Sequence, residues 1–353
     1  MAEAKERNAM RVAVLGAGFM GGTHAQAWHA LPEVELTTIY AKSAARAAPL
    51  AESLGTGWTD DLGSILSDAA IDVVDICLPS PLHREAAEAA LVAGKHVLLE
   101  KPIALTELDA RAIMATAAAS DRTFMVAHVL RFWPEYLELR RRVAAGELGQ
   151  PRSALATRRQ AFPAWSDLFT RADLTGGAVV DMMIHDFDAL NWVLGAPAAV
   201  TARGRRNQRS GGFDQVQVLI DYQTGASAIV DGGMEMPDTY PFGSRFEVLG
   251  DAGAAEYHFQ AGGRSFEEGA GLNRLTVYPA AAEAAIIPVE QFDPFAAEIA
   301  YFADCIRNRV APDRVTATDA LLALQVALAA RSSLEANGAT IALPERGEQG
   351  EPA

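Results

Sequence analysis

Apolar residues in the first 130 positions gather in short runs, and stretches rich in helix-forming residues separate them. The runs are Val12–Leu15, Val34–Tyr40, Asp72–Leu78, His96–Leu99 and Phe124–Val129. Strands that are buried on both faces of a parallel sheet show such nearly continuous apolar runs. Strands that alternate with helices are joined by crossover connections. The pattern therefore predicts an α/β domain with a parallel doubly wound sheet over residues 1–129.

The pattern changes near residue 130. A helix is predicted at Gly177–Leu194, and the alternating apolar residues of Val216–Tyr222 indicate a strand. Gly250-Asp251-Ala252-Gly253 lies between two further strand-like segments and is typical of a hairpin turn. We expect residues 130–345 to form an α+β domain around a mostly antiparallel sheet, and residues 346–353 to form a flexible tail.

Composition and charge exclude several classes of protein. The chain has 353 residues, of which 50% are apolar and 21% charged, as in ordinary globular proteins. Its formal net charge is −15 and its sequence pI about 4.9. Because an acidic protein is repelled by phosphate backbones and anionic lipids, we expect neither nucleic acid nor a membrane surface as a partner.

The two cysteines, Cys77 and Cys305, cannot build a disulfide framework, and neither lies in a cluster of metal-ligand spacing. We therefore expect no metal site and a reducing, cytoplasmic location. The chain contains no apolar run of the roughly 18–20 residues that a membrane helix needs. Its first ten residues lack the apolar core of a signal peptide.

A GxGxxG motif follows the first predicted strand and opens the first predicted helix. Its glycines are Gly16, Gly18 and Gly21, with Phe19 and Met20 between the last two. In a dinucleotide-binding fold, these glycines allow a tight turn, close approach of a pyrophosphate, and close packing of helix on strand. A chance glycine-rich turn is the alternative, but the position after a strand and before a helix favours a nucleotide site.

The end of the second predicted strand bears on the choice of cofactor. An NAD site usually carries Asp or Glu there, which binds the ribose hydroxyls. This chain has Ala41, Lys42 and Ser43, with Arg46 close behind. Cationic and hydroxyl side chains suit a 2′-phosphate, so the sequence favours NADP over NAD. The alternative is that these are ordinary loop residues and either cofactor binds.

Glu100 and Lys101 end another parallel strand, at the edge of the sheet where ligands bind in such folds. A lysine at that place can donate a hydrogen bond to a substrate oxygen and to a cofactor. The alternative is a surface lysine held in a salt bridge.

Asp181 and His185 are four residues apart in the predicted helix Gly177–Leu194, a spacing that puts both on one face. A carboxylate beside an imidazole stabilises the imidazolium that forms when histidine accepts a proton. The alternative is an ion pair on the helix surface. Asp186 and Asp188 could suggest a metal, but no other His or Cys has matching spacing.

Several motifs together resemble the glucose-fructose oxidoreductase / inositol dehydrogenase / rhizopine-catabolism (Gfo/Idh/MocA) family over about residues 10–343. They are Gly16–Gly21 with His24, Pro79–His83, Ala93–Pro102, Arg131-Phe132, Gly176-Gly177, Asp181 and His185-Asp186. The resemblance implies a Rossmann domain and a C-terminal domain with a large open sheet, through which homodimers or homotetramers form. It also implies pyranose, polyol or related hydroxyl or carbonyl substrates.

The resemblance further implies roles for individual residues. Lys101 matches the active-site lysine of the family, Asp181 and His185 match its Asp–His pair, and Arg131 matches a position near substrate. The segments that lie beside the nicotinamide in the family are matched by Leu78, Pro79, Ser80, Leu82, His83 and Glu100. Trp165 lies in a segment that we expect to wall the substrate pocket.

These expectations combine into one mechanism. Hydride passes between a nicotinamide and a substrate CH–OH carbon, His185 takes the hydroxyl proton, Asp181 supports the imidazole, and Lys101 binds the reacting oxygen. Two other classes of protein stay open as alternatives. One is a nicotinamide-dependent glycosidase of the same family, and the other is a non-catalytic cofactor-binding regulator.

Overall fold

The computed structural model describes residues 9–163, 166–264 and 269–344. The described chain forms two compact units. The first comprises the residues up to Val129 together with Asp293–Ala317, and the second comprises Leu130–Phe292 and the residues from Thr318 onward.

The described strands are β1 Met10–Leu15, β2 Val34–Tyr40, β3 Gly57–Thr59, β4 Val73–Ile76, β5 His96–Glu100, β6 Phe124–Ala127, β7 Pro151–Ala161, β8 Pro197–Arg206, β9 Phe213–Tyr222, β10 Ser227–Met236, β11 Gly243–Gly250, β12 Gly253–Ala261, β13 Ala270–Pro279, β14 Ala285–Ile287 and β15 Ile341–Ala342. The described α-helices are α1 Phe19–Ala30, α2 Ala44–Ser53, α3 Leu62–Ser67, α4 His83–Val92, α5 Glu107–Ala118, α6 Pro134–Ala144, α7 Ala172–Thr175, α8 Gly177–Asp181, α9 Ile184–Leu194, α10 Pro294–Asn308 and α11 Ala317–Glu335. Short 3₁₀ turns lie at Ser80–Leu82, Val129–Phe132 and Asp167–Thr170.

The first unit is built on a parallel sheet that has six strands among the described residues, in the order β3-β2-β1-β4-β5-β6. Its central strands are buried along β4, from Val12 onward in β1 and from Val97 onward in β5, as the apolar runs predicted. The strand order reverses between β1 and β4, so the ends of β1, β4 and β5 border one crevice, the usual ligand site of such sheets. The predicted α/β class is confirmed.

Local sequence explains where the helices of this unit begin. The side chain of Thr106 accepts a hydrogen bond from the Asp109 amide and so caps the start of α5. Asp293 caps α10 in the same way. Helix α10 belongs to the first unit because Phe302 packs edge-on against Trp28 of α1, with ring centroids 6.4 Å apart. The sequence pattern alone assigns all of residues 130–345 to the second domain.

The second unit contains a sheet of nine described strands, in the order β14-β13-β12-β11-β7-β10-β9-β8-β15. Among its described strand pairs, β7 with β10 is parallel and the others are antiparallel. Alternate residues of β9, from Asp214 to Tyr222, are buried, so one face of the sheet carries the core. The predicted Gly250–Gly253 turn joins β11 and β12 as a hairpin. The predicted α+β class with a large, mostly antiparallel sheet is confirmed.

None of the described helices combines the length and the hydropathy that a membrane-spanning segment needs.

Candidate active site

The glycine-rich loop has the geometry of a phosphate cradle. A Cβ on Gly16, whose φ is +126°, would lie 2.4 Å from the Cys77 carbonyl oxygen, so the turn admits only glycine. A Cβ on Gly21 would lie 2.1 Å from the Gly16 oxygen, which keeps helix α1 close to the strand. A Cβ on Gly18, in contrast, would meet no described atom within 4 Å. The loop is thus closed toward the protein and open at Gly18, where a dinucleotide phosphate fits beside the N-terminus of α1.

The tip of β2 is exposed and cationic. Lys42, Ser43 and Arg46 are exposed, and the hydroxyl of Ser43 makes no capping bond to α2. Lys42 Nζ donates to the Asp60 carbonyl oxygen at 3.0 Å and lies 5.5 Å from the centre of the Tyr40 ring. The Ala41 amide donates to the Thr59 carbonyl oxygen, which holds the tip against β3. Three side chains that can bind phosphate are therefore presented together.

The loops after β4 and β5 are tied together by a buried histidine. His83 Nδ1 lies 2.8 Å from the Pro102 carbonyl oxygen, and its Nε2 lies 2.8 Å from the Leu78 carbonyl oxygen. Burial lowers the pKa of His83, more than its hydrogen bonds to the two carbonyls raise it. This side chain therefore braces the loops from inside. Leu82 and Pro79 of the same segment are at least partly exposed.

Lys101 follows β5, and its side chain is partly exposed. Its backbone N–H donates to Glu100 Oε2 at 2.9 Å. Glu100 itself is buried, and its other oxygen faces His24 of α1 at 3.2 Å. The sequence prediction assigned Glu100 to cofactor binding, but the structure turns its carboxylate inward, where it supports Lys101.

Asp181 and His185 do not lie on one continuous helix, so the prediction of a single helix over Gly177–Leu194 is wrong. Asp181 is the last residue of α8 and His185 the second of α9. Between them the Met183 amide donates to the Ala178 oxygen, five residues back, which widens the turn. Met183 packs so closely on Gly232 of β10 that a Cβ there would lie 2.7 Å from it. Both Asp181 and His185 are partly exposed, in a segment that is otherwise buried.

Two buried ion pairs hold helix α9. Arg158 of β7 donates to both oxygens of Asp186 at 2.9 Å. Arg131 donates to both oxygens of Asp188, at 2.9 and 2.8 Å. Such two-bond pairs between guanidinium and carboxylate groups fix orientation as well as distance. Both pairs hold α9 directly after His185 and set where this helix lies.

Arg131 was predicted to contact substrate, and its surroundings argue for a different role. Its side chain is 2% exposed, and a second carboxylate, Asp319, lies 3.1 Å from Nη1. Burial lowers the pKa of Arg131, but Asp188 and Asp319 raise it by more than burial lowers it. The guanidinium group therefore stays charged. The structure thus makes Arg131 a support for α9.

Several of the predicted residues can be grouped by their place in the fold. Those that follow the adjacent strands β1, β4 and β5 lie at one edge of the parallel sheet: Gly16–Gly21, Leu78–Leu82 and Lys101. Asp181 and His185 lie in the second unit. Trp165 lies outside the described residues.

Sequence reasoning missed the buried partners of these residues. His24 enters the sequence analysis only as part of the family motifs, yet it is fully buried, with Nδ1 2.9 Å from Asp75 Oδ2. Its place three residues after the last glycine of the motif was a usable signal. Arg158 had no signal, because its partner Asp186 is 28 positions away.

Comparisons with known proteins agree with this architecture. Residues 10–128 match the family model described as the oxidoreductase family with an NAD-binding Rossmann fold. Residues 136–256 match the GFO/IDH/MocA C-terminal domain.

Individual relatives cover from 69% to 95% of this chain. The scyllo-inositol 2-dehydrogenase (NAD(+)) of Bacillus subtilis is 30% identical over 357 residues, which cover 95% of this chain and 96% of that protein. The inositol 2-dehydrogenase of Rhizobium meliloti is 30% identical, over 69% of this chain and 74% of its own length. Among solved structures, the UDP-N-acetylglucosamine 3-dehydrogenase GnnA of Acidithiobacillus ferrooxidans has a TM-score of 0.78 at 26% identity and covers 93% of this chain and 98% of its own. With a nucleotide-binding parallel sheet, a mostly antiparallel second sheet and relatives over its full length, this chain belongs to the Gfo/Idh/MocA family of NAD(P)-binding oxidoreductases.

Proposed function

We propose that this protein is an NAD(P)-dependent dehydrogenase or reductase that acts on a CH–OH group of a sugar or polyol. The observation that carries the proposal is the glycine loop, which is closed at Gly16 and Gly21 and open at Gly18. The names of the relatives, which are inositol and amino-sugar dehydrogenases, support the substrate class.

The bound nicotinamide would accept or supply the hydride. Its pyrophosphate would lie over Gly18 at the start of α1, and its nicotinamide half beside Leu78, Pro79, Ser80 and Leu82, at the crevice edge of the sheet.

The proton would be handled by residues of this chain. In the oxidative direction His185 takes the substrate hydroxyl proton, and Asp181 stabilises the resulting imidazolium. Lys101 donates a hydrogen bond to the reacting oxygen and stabilises the negative charge that develops on it. Reduction uses the same groups in reverse. The two guanidinium pairs on α9 keep the backbone that carries His185 in place.

A panel of inositols, sugars and keto-sugars, assayed with both cofactors through the absorbance of the reduced nicotinamide, tests the activity. We expect steady net formation or loss of reduced cofactor with at least one panel member. A glycosidase that recycles its cofactor would release product without that net change, and a regulator would bind cofactor without turnover.

We infer that NADP is the preferred cofactor. The support is the exposed group of Lys42, Ser43 and Arg46 at the tip of β2, where a carboxylate that would repel a 2′-phosphate is lacking at positions 41–43. NAD, which appears in the name of the Bacillus subtilis relative, is the competing cofactor.

We also propose that the protein forms a homodimer or homotetramer through the outer face of the second sheet. Leu219, Ile229 and Leu249 are exposed on that face, and Leu219 and Ile229 are neighbours across strands. Light scattering on the Leu219→Asp/Ile229→Asp variant should show a lower molar mass than the wild type. Val92→Asp, which changes an exposed apolar residue of α4, is the matched control. An unchanged mass in the double variant would place the interface elsewhere.

A further inference from the structure

A pocket of about 550 Å³ lies at one end of the sheet in the second unit. Because β9 is antiparallel to both β8 and β10, and β7 is parallel to β10, the carboxyl ends of β7, β8 and β10 meet at this end. The pocket is lined by Phe162 after β7, by the turn between β8 and β9, and by the end of β10 with the residues after it. Its volume is in the range of small-molecule sites.

The pocket adjoins the segment that carries Asp181 and His185. Met183, between these two residues, packs against Gly232 of β10. Met234, which lines the pocket, follows Gly232 by two residues in the same strand, a backbone distance of roughly 7 Å. The pocket is therefore close enough to receive a substituent of a substrate whose reacting carbon lies at His185.

The turn between β8 and β9 is tied to the same segment. The Asn207 N–H donates to the Gly212 carbonyl oxygen at 2.8 Å, which closes the turn. Ser210 donates to one carboxylate oxygen of Asp214, and the other oxygen accepts the Ala178 N–H of α8 at 3.1 Å. Since α8 carries the carboxylate of the candidate Asp–His pair, the side chains of this turn have a fixed place relative to that pair.

Two arginines at the rim of the pocket are only loosely paired. Arg205 Nη2 lies 3.8 Å from Glu235 Oε2, and Arg206 Nη2 lies 3.8 Å from Glu335 Oε1. Both guanidinium groups are exposed. Long ion pairs at an exposed surface contribute little free energy, so both groups can turn toward another anion at small cost.

A third arginine has no carboxylate at all among the described residues. Arg209 lies with its guanidinium carbon 4.0 Å from the centre of the Phe162 ring, which holds the group at the pocket wall. In the described part of the chain, its guanidinium makes no hydrogen bond or ion pair. The remaining carboxylate of the pocket, Asp238, is paired with Arg264 at 3.1 Å. The pocket thus has one positive charge in excess, in a chain whose net charge is −15.

We propose that this pocket binds the phosphate group of a phosphorylated substrate, with Arg209 as the main ligand and Arg205 and Arg206 as further donors. The planar guanidinium group suits phosphate because it donates two parallel hydrogen bonds. This site deepens the proposed function and rests on it for the reaction at His185. A sugar phosphate and a nucleotide sugar share the chemistry that the pocket recognises.

Calorimetric titration with inorganic pyrophosphate tests the site without turnover. The full chain is first saturated with NADP or NAD, whichever binds more tightly, so that the glycine loop is filled. We expect Arg209→Gln to weaken pyrophosphate binding by about tenfold or more, as loss of a charge-assisted hydrogen bond does. Arg274→Gln removes an exposed cation of β13 outside the pocket and should bind as the wild type does. Absent binding, or equal binding by the wild type and Arg209→Gln, would overturn the proposal.

Titration with glucose 1-phosphate and UDP-glucose then distinguishes the two sources of phosphate. Binding that depends on Arg209 and is tighter for UDP-glucose indicates a nucleotide sugar, and equal binding of the two indicates a sugar phosphate. Light scattering on Arg209→Gln adds a further check. A lower molar mass with unchanged pyrophosphate binding would make the pocket a contact between copies of the chain and would also overturn the proposal.

Failure of this proposal is distinct from failure of the proposed function. Turnover of uncharged sugars or polyols, without pyrophosphate binding that depends on Arg209, would overturn the phosphate site and leave the dehydrogenase assignment standing. Pyrophosphate binding that depends on Arg209, without turnover of any sugar, polyol or phosphorylated sugar, would support the site and contradict the dehydrogenase assignment.

Discussion

The two units support their candidate catalytic side chains with buried charges of different kinds. Behind Lys101, His24 lies between two carboxylates, with Nδ1 2.9 Å from Asp75 Oδ2 and Nε2 3.2 Å from Glu100 Oε1. Beneath His185, the pairs Arg158–Asp186 and Arg131–Asp188 match a guanidinium to a carboxylate with two bonds each. Matched two-bond pairs mainly fix a position. The first unit thus holds the backbone of its lysine through a single carboxylate, and the second fixes the helix that carries its histidine through two matched pairs.

The largest expected effect is on the histidine itself. His185→Ala removes the proposed proton acceptor, and we expect kcat to fall by roughly 10²–10⁴-fold, the usual contribution of positioned acid–base catalysis. Cofactor affinity, measured by fluorescence titration, should stay unchanged. His258→Ala, which removes a partly exposed histidine of β12, is the control. If His185→Ala keeps its turnover, a group other than His185 accepts the hydroxyl proton of the substrate.

Breaking one matched pair should cost stability. Burial raises the pKa of Asp186, and Arg158 lowers it. Arg158→Met leaves this carboxyl buried without its partner, and we expect the free energy of unfolding to fall by about 3–5 kcal/mol. The double variant Arg158→Met/Asp186→Leu should recover much of that loss, because no unpaired charge is left. Denaturant unfolding measures both, with Arg141→Met at an exposed pair as the control. Equal losses in the single and double variants would mean that packing, and not charge, dominates here.

Two glycines of the phosphate loop should respond differently to the same substitution. Gly18→Ala adds a methyl group into open space, so the protein should fold normally and bind cofactor about tenfold or more weakly, a loss of at least about 1.4 kcal/mol. Gly16→Ala should lower the unfolding midpoint, since its Cβ meets the Cys77 carbonyl oxygen. Gly22→Ala on α1 is the control. Normal cofactor binding by Gly18→Ala would show that the cofactor phosphates do not bind at this loop.

The smallest effect concerns cofactor choice. Lys42→Ala/Arg46→Ala should weaken NADP binding by about tenfold and leave NAD binding nearly unchanged, because we propose that both cations bind the 2′-phosphate. Titration of both cofactors against wild type and variant measures the preference. Tighter binding of NAD than NADP by the wild type would contradict the inference.

The fold could be predicted where the sequence pattern is local. The buried runs of β1, β4 and β5 and the Gly250–Gly253 hairpin each show their structure within a few residues. The break between α8 and α9 could not be predicted, because it depends on Met183 packing against Gly232 of a strand 49 positions later. That α10 belongs to the first unit likewise could not be predicted, because it depends on a contact between Phe302 and Trp28.

The candidate site divides in the same way. Gly16, Gly18 and Gly21 could be identified because motif, strand and helix follow directly along the chain. The inward turn of Glu100 and the buried place of Arg131 could not, because both are set by partners on other elements. Arg131 and Asp188 are 57 positions apart, and nothing in the sequence links them. A charged residue near a motif is therefore a weaker indicator of ligand contact than a glycine that the backbone requires.

The central claim is that Lys101 and His185 act on the same substrate hydroxyl. A double-mutant cycle of Lys101→Met and His185→Ala, measured as kcat/KM with the best substrate and with cofactor binding as a check on folding, tests it most directly. We expect the kcat/KM of the double variant to be only slightly below that of the less active single variant. Losses that multiply in full would show that the two residues serve independent steps.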